Sequence, residues 1–284
     1  MNEFELIKTY FQPLSEIAFD DDAAVLSVPE GYELVVSSDT INEGVHYRAD
    51  AQPGYIARKA LRSNLSDLAA MGARPFYYQL NLALPGTVEK DWLEAFTGAL
   101  AEDQQEFDIR LSGGDSTAAL AGASSISITI MGLVEKGKAV RRGGAKAGDL
   151  ILLSGPVGEA VAREYHHMPY PRLDLVAAME KYAHGAIDIS DGLPADLGHM
   201  AAASGLAARV ELADIPLYED TDLPPEILLT GGEDYELLIA VPPEHADKFA
   251  GCSVIGEFAA GQGVEILDRA GDPLVLKQTG WSHF

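Results

Sequence analysis

One cysteine, Cys252, stands among 284 residues. It cannot form an intrachain disulfide, and it leaves no thiolate set for a zinc ribbon, an iron–sulfur cluster or Cys-x-x-Cys redox chemistry. Positive charge is scarce as well: 20 Lys and Arg against 44 Asp and Glu give a formal net charge of −24. That is the wrong sign for counterion release on a phosphate backbone, so nucleic acid is not an expected partner. Long apolar runs are missing. Stretches such as 127–134 fall far short of the ~20 residues a membrane-spanning helix needs. The opening Met1-Asn2-Glu3-Phe4-Glu5 has neither the basic nor the apolar region of a secretory signal. A soluble, cytoplasmic protein with no membrane partner is expected.

The usual phosphate-gripping motifs are absent too. There is no Gly-x-x-x-x-Gly-Lys-Ser/Thr, no Gly-x-Gly-x-x-Gly after a strand, no protein-kinase loop and no Gly-x-Ser-x-Gly. His166-His167 beside Glu164 lack the His-Glu-x-x-His spacing and any accompanying cysteine, so a zinc site is not expected there.

What is present is a chain 47% hydrophobic, long enough for about two domains at ~150 residues each. Lys136–Asp149 gathers Gly137, Gly143, Gly144 and Gly148 among basic residues, as an inter-domain connection would. The expected domains are 1–140 and 141–284. Phe4, Ile7, Phe11 and Leu14 recur at helical spacing. Residues 23–28 and 33–37 read as strands joined through Pro29-Glu30-Gly31, the second ending at Ser37-Ser38-Asp39-Thr40. Helices are expected over 56–71, closed by Gly72, and over 89–107, with strands at 76–84 and 124–134. A short strand 109–111 is expected to break at Ser112-Gly113-Gly114-Asp115. Strands at 150–153, 186–189, 207–212, 237–241 and 264–267, interleaved with helical patterns, give the second half the signature of an α/β layer domain.

Five acidic positions lie beside Gly or Ser at the end of an apolar run: Asp20-Asp21-Asp22, Asp39, Asp115, the pair Asp188 and Asp191, and Glu233-Asp234. Any one alone is an ordinary solvated turn; five point to a shared site. Asp67 differs, lying three residues after Asn64 on a helix that is otherwise apolar, so the two share a face. It reads equally as a surface carboxylate or as a ligand on a rigid element. Scattered aspartates suit Mg²⁺, which takes oxygen ligands and binds through one or two carboxylates plus substrate phosphates. Arg141 and Arg142 beside Gly143-Gly144 are either a basic linker or a phosphate contact.

The blocks Asp21-Asp22-Ala23-Ala24, Ser37-Ser38-Asp39-Thr40 with Gly44-Val45-His46, 64–73 (Asn64 to Ala73), Gly113-Gly114-Asp115-Ser116-Thr117, 186–192 (Ala186 to Gly192) and 231–237 (Gly231 to Leu237) resemble, in order and spacing, the thiamine-monophosphate kinases. The closing Gly280-Trp281-Ser282-His283-Phe284 resembles that family as well. Single blocks also resemble the wider superfamily of aminoimidazole ribonucleotide synthetase and selenophosphate synthetase. The resemblance implies a two-domain α/β fold of the aminoimidazole ribonucleotide synthetase-like kind. Its N-terminal α/β domain would pair strands across a homodimer, and its C-terminal α/β domain would complete an inter-domain ATP cleft. It implies transfer of the ATP γ-phosphoryl group to thiamine monophosphate, with several Mg²⁺ ions and no single catalytic His or Ser. By that similarity Asp22, Ser37, Ser38, Asp39, Asp67, Asp115, Asp188 and Asp191 are metal ligands. Gly114, Asp115, Arg142 and Ser190 are nucleotide contacts, and His46, Glu233 and Trp281 contact thiamine monophosphate. Asp20 stands where the family usually has Gly, Ser38 where it usually has Thr, and 158–184 is shorter than the family pattern. Competing readings are a sister ATP-dependent enzyme acting on another acceptor and a non-catalytic acidic scaffold for divalent cations.

Overall fold

The computed structural model describes residues 3–19, 21–86, 88–119 and 123–281. Two compact units divide the chain: Met1–Leu68 with Ala73–Gly137, and Ala69–Gly72 with Lys138–Phe284. Asp20 and residues 282–284, which carried part of the sequence reading, lie outside the described residues.

In the first unit the expected opening helix changes its winding: α1 (Glu3–Leu6) passes into a π turn at Ile7–Phe11 and a 3-10 turn at Gln12–Leu14. Tyr10, Phe11 and Leu14 are buried along it. The expected strand at 23–28 is not formed; Val25 is 90% exposed. A short apolar run makes a strand only where a neighbouring strand accepts its hydrogen bonds. Instead β1 (Tyr32–Asn42) lies at the sheet edge, paired along one side with β4 (Ser125–Glu135). That antiparallel ladder runs unbroken from Tyr32 opposite Glu135 to Asn42 opposite Ser125. The polar residues Ser37 to Thr40, expected to end the strand, are therefore its interior.

Between β1 and β4 come α2 (Pro53–Ala70), β2 (Arg74–Pro85), α3 (Lys90–Phe107) and β3 (Arg110–Ala119), giving a sheet of order β1-β4-β2-β3. The strand expected to break at Ser112 continues. The register slips by one, from Tyr78 opposite Leu111 to Gln79 opposite Gly113, so Ser112 is the bulged residue. The close approach requires glycine: a Cβ at Gly114 would sit 1.8 Å from the Leu80 carbonyl oxygen. Tyr78, Leu80, Leu82, Ile126, Ile128 and Ile130 bury one sheet face with Leu61, Leu65, Leu68, Phe96 and Leu100 of the helices. Alternation along β1 sends Leu34 and Val36 to the other face, where they are 41% and 56% exposed.

A charge clamp joins the two helices. Asp103 of α3, with no exposed surface, accepts two bonds from Arg62 of α2 at 2.8 Å each and a further one from Arg58.

The second unit contains β5 (Leu150–Leu153), α4 (Glu159–Ala162), α5 (Val176–Tyr182), β6 (Gly185–Asp188) and α6 (Leu193–Ser204). Then follow β7 (Ala207–Glu211), α7 (Pro225–Thr230), β8 (Leu237–Val241), β9 (Ser253–Ala259) and β10 (Gly263–Leu267). The six strands form one sheet, order β10-β7-β9-β5-β8-β6, antiparallel except for the parallel β10–β7 pair. Every residue of β8 is buried because both faces are covered. Leu238 and Ala240 join the core with Leu197 and Met200 of α6, while Leu237, Ile239 and Val241 join Met179 of α5. Strand β9 was not read from the sequence. Gly256 interrupts its alternation, and a Cβ there would lie 1.9 Å from the Arg209 carbonyl oxygen. Among the described residues no helix is long and apolar enough to cross a membrane.

Truncating Asp103 leaves two cations without their shared buried counter-charge, an effect of about 3–5 kcal/mol. Asp103→Ala is expected to lower the free energy of unfolding, read from denaturant curves, by that margin. A loss within ~1 kcal/mol, the range of an exposed ion pair, would reduce the clamp to surface chemistry.

Candidate active site

Three groups of the expected residues can be placed, two in the first unit and one in the second.

The first group joins β1 to α2. Ser37 and Asp39 lie two apart on β1 and so share the face turned toward α2. Ser37 Oγ donates to Asp67 Oδ2 at 2.6 Å, and the Asp39 N–H donates to Asn64 Oδ1 at 3.0 Å. Asn64 is in turn fixed through its Nδ2–H to the Ala60 carbonyl at 2.9 Å. The polar spot on an apolar helix thus faces two strand residues rather than solvent. Burial pushes the Asp39 carboxyl above its ordinary range by taking the charged form out of water. Ser38 points to the opposite face, where Oγ donates to the Ile128 carbonyl at 3.0 Å and lies 3.2 Å from Thr129 Oγ1.

The second group lines a cavity of about 420 Å³ against the β2–β3 edge. Asp22, Gly114 and Asp115 are on its wall with Gln79 and Asn81, and Ile7, Phe11 and Phe19 supply an apolar side. Asp115 Oδ1 accepts the Ser116 N–H at 2.8 Å. His46 belongs to the turn after β1, its Nδ1 accepting the Asn42 N–H at 3.0 Å.

The third group is built on the turn from β6 into α6. Asp188 ends β6, and Ser190 and Asp191 follow in a turn whose three amides, of Ser190, Asp191 and Gly192, all donate to Asp196 Oδ2 at 3.0–3.1 Å. The loop bearing Glu233 crosses this turn. Glu233 N–H donates to the Ser190 carbonyl and Tyr235 N–H to that of Ile189, each at 2.8 Å. Glu233 and Tyr235 both have positive φ, 59° and 55°, a conformation costly for side-chain-bearing residues. Between them the Asp234 carboxylate is buried, accepting the amides of Gly158 at 2.9 Å and Ala160 at 3.2 Å. Trp281 comes to the same turn, its N–H donating to the Asp191 carbonyl at 2.9 Å. The approach needs glycine beside it, because a Cβ at Gly280 would lie 2.6 Å from that oxygen.

Arg142 is placed apart from this third group. Its 3-10 turn (Arg142–Gly144) lies at the C-terminal end of α6, where Ser204 Oγ donates to the Arg142 carbonyl at 3.4 Å. A helix of that length separates it from Ser190 by about 18 Å. Asp196 is not among the expected site residues, although it is an acidic residue in the first turn of α6; Asp234 is part of the expected Glu233-Asp234 cluster but is given no role of its own there. One further grouping, Asp191, Asp196 and His199, brings ligand atoms within 4.8 Å of one another. Its Asp196 oxygen is already engaged by three amides.

Comparison with known proteins fits this architecture. Family models for AIR synthase related proteins match over residues 20–134, the N-terminal domain, and 123–269, the C-terminal domain. Fold and site thus define an AIR synthase-related two-domain protein. Thiamine-monophosphate kinase of Haemophilus influenzae is 36% identical over 327 residues, covering 100% of this chain and 98% of that protein. The crystal structure of thiamine-monophosphate kinase from Stenotrophomonas maltophilia superposes with a TM-score of 0.82 at 35% identity, covering 91% of this chain and 92% of that one. AaThiL complexed with AMPPCP and TMP gives a TM-score of 0.82 at 30% identity over 99% of this chain and 97% of that one. The chain belongs to the thiamine-monophosphate kinase family.

Burial pushes the Asp234 carboxyl up to about 7, against the lowering effect of the two amides, with Glu236 and Glu159 adding to the rise. The folded state therefore holds this proton more tightly than the unfolded chain does. Its contribution to stability is complete below about pH 4 and declines as pH rises toward 7 and beyond, by at most a few kcal/mol. Asp234→Asn is expected to flatten the fall in urea midpoint between about pH 5 and about pH 8. An unchanged slope would refute the assignment.

Proposed function

We propose that the chain transfers the γ-phosphoryl group of ATP to the phosphate of thiamine monophosphate, giving ADP and thiamine diphosphate. The observation that carries this reading is full-length identity of 36% to a thiamine-monophosphate kinase. A donor set made only of carboxylate, hydroxyl and amide oxygens accords with it.

Those donors fit Mg²⁺, a hard cation that takes oxygen ligands. Asp22, Ser37, Ser38, Asp39, Asp67, Asp115, Asp188 and Asp191 are the residues that would hold it, Ser38 through its backbone oxygen given where its hydroxyl points. When bound, the ions offset the mutual repulsion of two anionic phosphates and favour in-line approach. The chain's own part is positioning. Ser37 of the strand restrains Asp67 on the helix, Asn64 of the helix restrains Asp39 on the strand, and Asp196 holds the turn that bears Ser190 and Asp191. Gly114, Asp115, Ser190 and Arg142 are assigned to the nucleotide. His46, Glu233 and Trp281 are assigned to thiamine monophosphate, the indole as a face for the cationic ring. A protein base is unnecessary, because the acceptor phosphate oxygen is already ionised.

By this reading residues 1–140 supply one metal and nucleotide set and the dimer contact, and 141–284 supply the other set. The exposed Leu34 and Val36 face of the four-stranded sheet supports a homodimer formed there. A cytoplasmic location fits the substrates.

The reading is tested by ADP release from Mg·ATP with and without thiamine monophosphate, with thiamine diphosphate followed as second product. Equal formation of both is expected. ATP turnover that ignores thiamine monophosphate in folded protein would overturn the reading. Asp67→Asn and Asp191→Asn are expected to lower kcat by at least about 100-fold, the scale on which positioned electrostatic groups act, with unchanged unfolding curves. Near-normal turnover in either would remove that residue from the metal set.

A further inference from the structure

Lys59 sits in the middle of α2 and is 1% exposed. Burying an amine this deeply costs several kcal/mol unless its donors are satisfied, and an alkyl residue of the same length would fill the space without that cost. Its Nζ donates to the carbonyl oxygen of His46 at 2.5 Å. Among buried residues of α2, Arg62 belongs to the Asp103 clamp and Asn64 to Asp39; Lys59 reaches the turn after β1.

That turn is also held by bonds within itself and by bonds to Ser124, just before β4. The amides of Val45 and His46 donate to the Asn42 carbonyl at 3.2 and 2.9 Å, and Gly44 N–H donates to Tyr47 O at 2.8 Å. From the far side Tyr47 OH lies 2.7 Å from Ser124 Oγ, while Glu43 accepts the Ser124 amide at 3.0 Å. Within it the ring of His46 is oriented: Nδ1 accepts the backbone N–H of Asn42 at 3.0 Å. A backbone amide can only donate, so the neutral imidazole carries its proton on Nε2 and presents an N–H there.

We propose that Lys59 is a positioning residue for the phosphate substrate, its buried amine holding the Asn42–Tyr47 turn so that His46 offers Nε2–H as a hydrogen-bond donor. The proposal rests on the assignment of His46 to thiamine monophosphate. It adds a residue that acts through the His46 backbone and a defined protonation geometry for the His46 ring.

Lys59→Met keeps length and volume while removing the donor. It is expected to raise KM for thiamine monophosphate about tenfold, the equivalent of one well-placed hydrogen bond, with kcat and KM for ATP unchanged within about threefold. The melting temperature is expected to hold within a few degrees, because a buried amine is exchanged for a fitting apolar group. Nitrogen-15 NMR of the wild-type protein is expected to show the Nε2–H tautomer at His46, with its ring signals shifted in K59M. An Nδ1–H tautomer in the wild type overturns the proposal without any variant. So does a K59M protein with unchanged KM, or one whose kcat and both KM values worsen together as stability falls. His46→Ala with unchanged KM for thiamine monophosphate would overturn the substrate assignment instead. That failure is told apart from failure of Lys59 by the imidazole signals of K59M.

Discussion

The bond from Ser37 to Asp67 is the constraint on which the first unit's chemistry depends. It crosses from a strand to the helix above it, and it is short, 2.6 Å. Its effect is to make a carboxylate part of two rigid elements at once. Two residues along, Asn64 receives the Asp39 amide, so neighbouring carboxyl groups are set by the same strand-to-helix contact. Charged-group positions fixed in advance are what phosphoryl transfer asks of a protein, since the chemistry needs little else from side chains. The same contact explains why the strand cannot stop where its apolar residues stop: the residues that meet α2 are the polar ones.

The second unit solves a similar problem with backbone. Three successive amides of the turn after β6 converge on Asp196, and the neighbouring loop is bent through two positive-φ residues so that its amides reach the Ile189 and Ser190 carbonyls. Glu233 is held in that strained loop by its own amide and by that of Tyr235. Asp234 turns away from it into the start of α4, and Trp281 docks on the far side of the turn through Asp191. Residues from three distant stretches of chain thereby meet at one strand end.

Much of this was legible in the chain itself. Helical spacing over 56–71 and 89–107 and the apolar runs of β5, β6 and β8 have a single reading, because they depend on local periodicity. Asn64 and Asp67 were visible as a polar face on a buried helix. The errors fall where tertiary contact decides. Residues 23–28 are a short apolar run like a strand but have no ladder to join. Ser112 to Thr117 reads as a break, yet two glycines and a bulge carry β3 past it. Gly256 hides β9 because its lack of a side chain is a response to the Arg209 backbone, which lies more than forty positions away in sequence. Asp196 looks like a solvated acid until the amides it accepts are placed around it.

The charge balance connects the parts. The chain carries a net −24, and many of its cations are already committed to its own carboxylates: Arg58 and Arg62 to Asp103, Arg163 to Glu159, and Arg172 to Asp174 and Glu236. An anionic substrate approaching such a surface meets repulsion that the remaining side chains cannot cancel. Two routes remain open to a protein of this composition. Backbone amides and a few neutral donors can supply positive potential locally. Added divalent cations can supply the rest, and they bind best where carboxylates are already gathered and cannot relax away from one another. On the proposed reading an excess of acid would be the means of binding phosphate, with cations as the intermediary, and the contact of Ser37 with Asp67 would keep part of that excess in place.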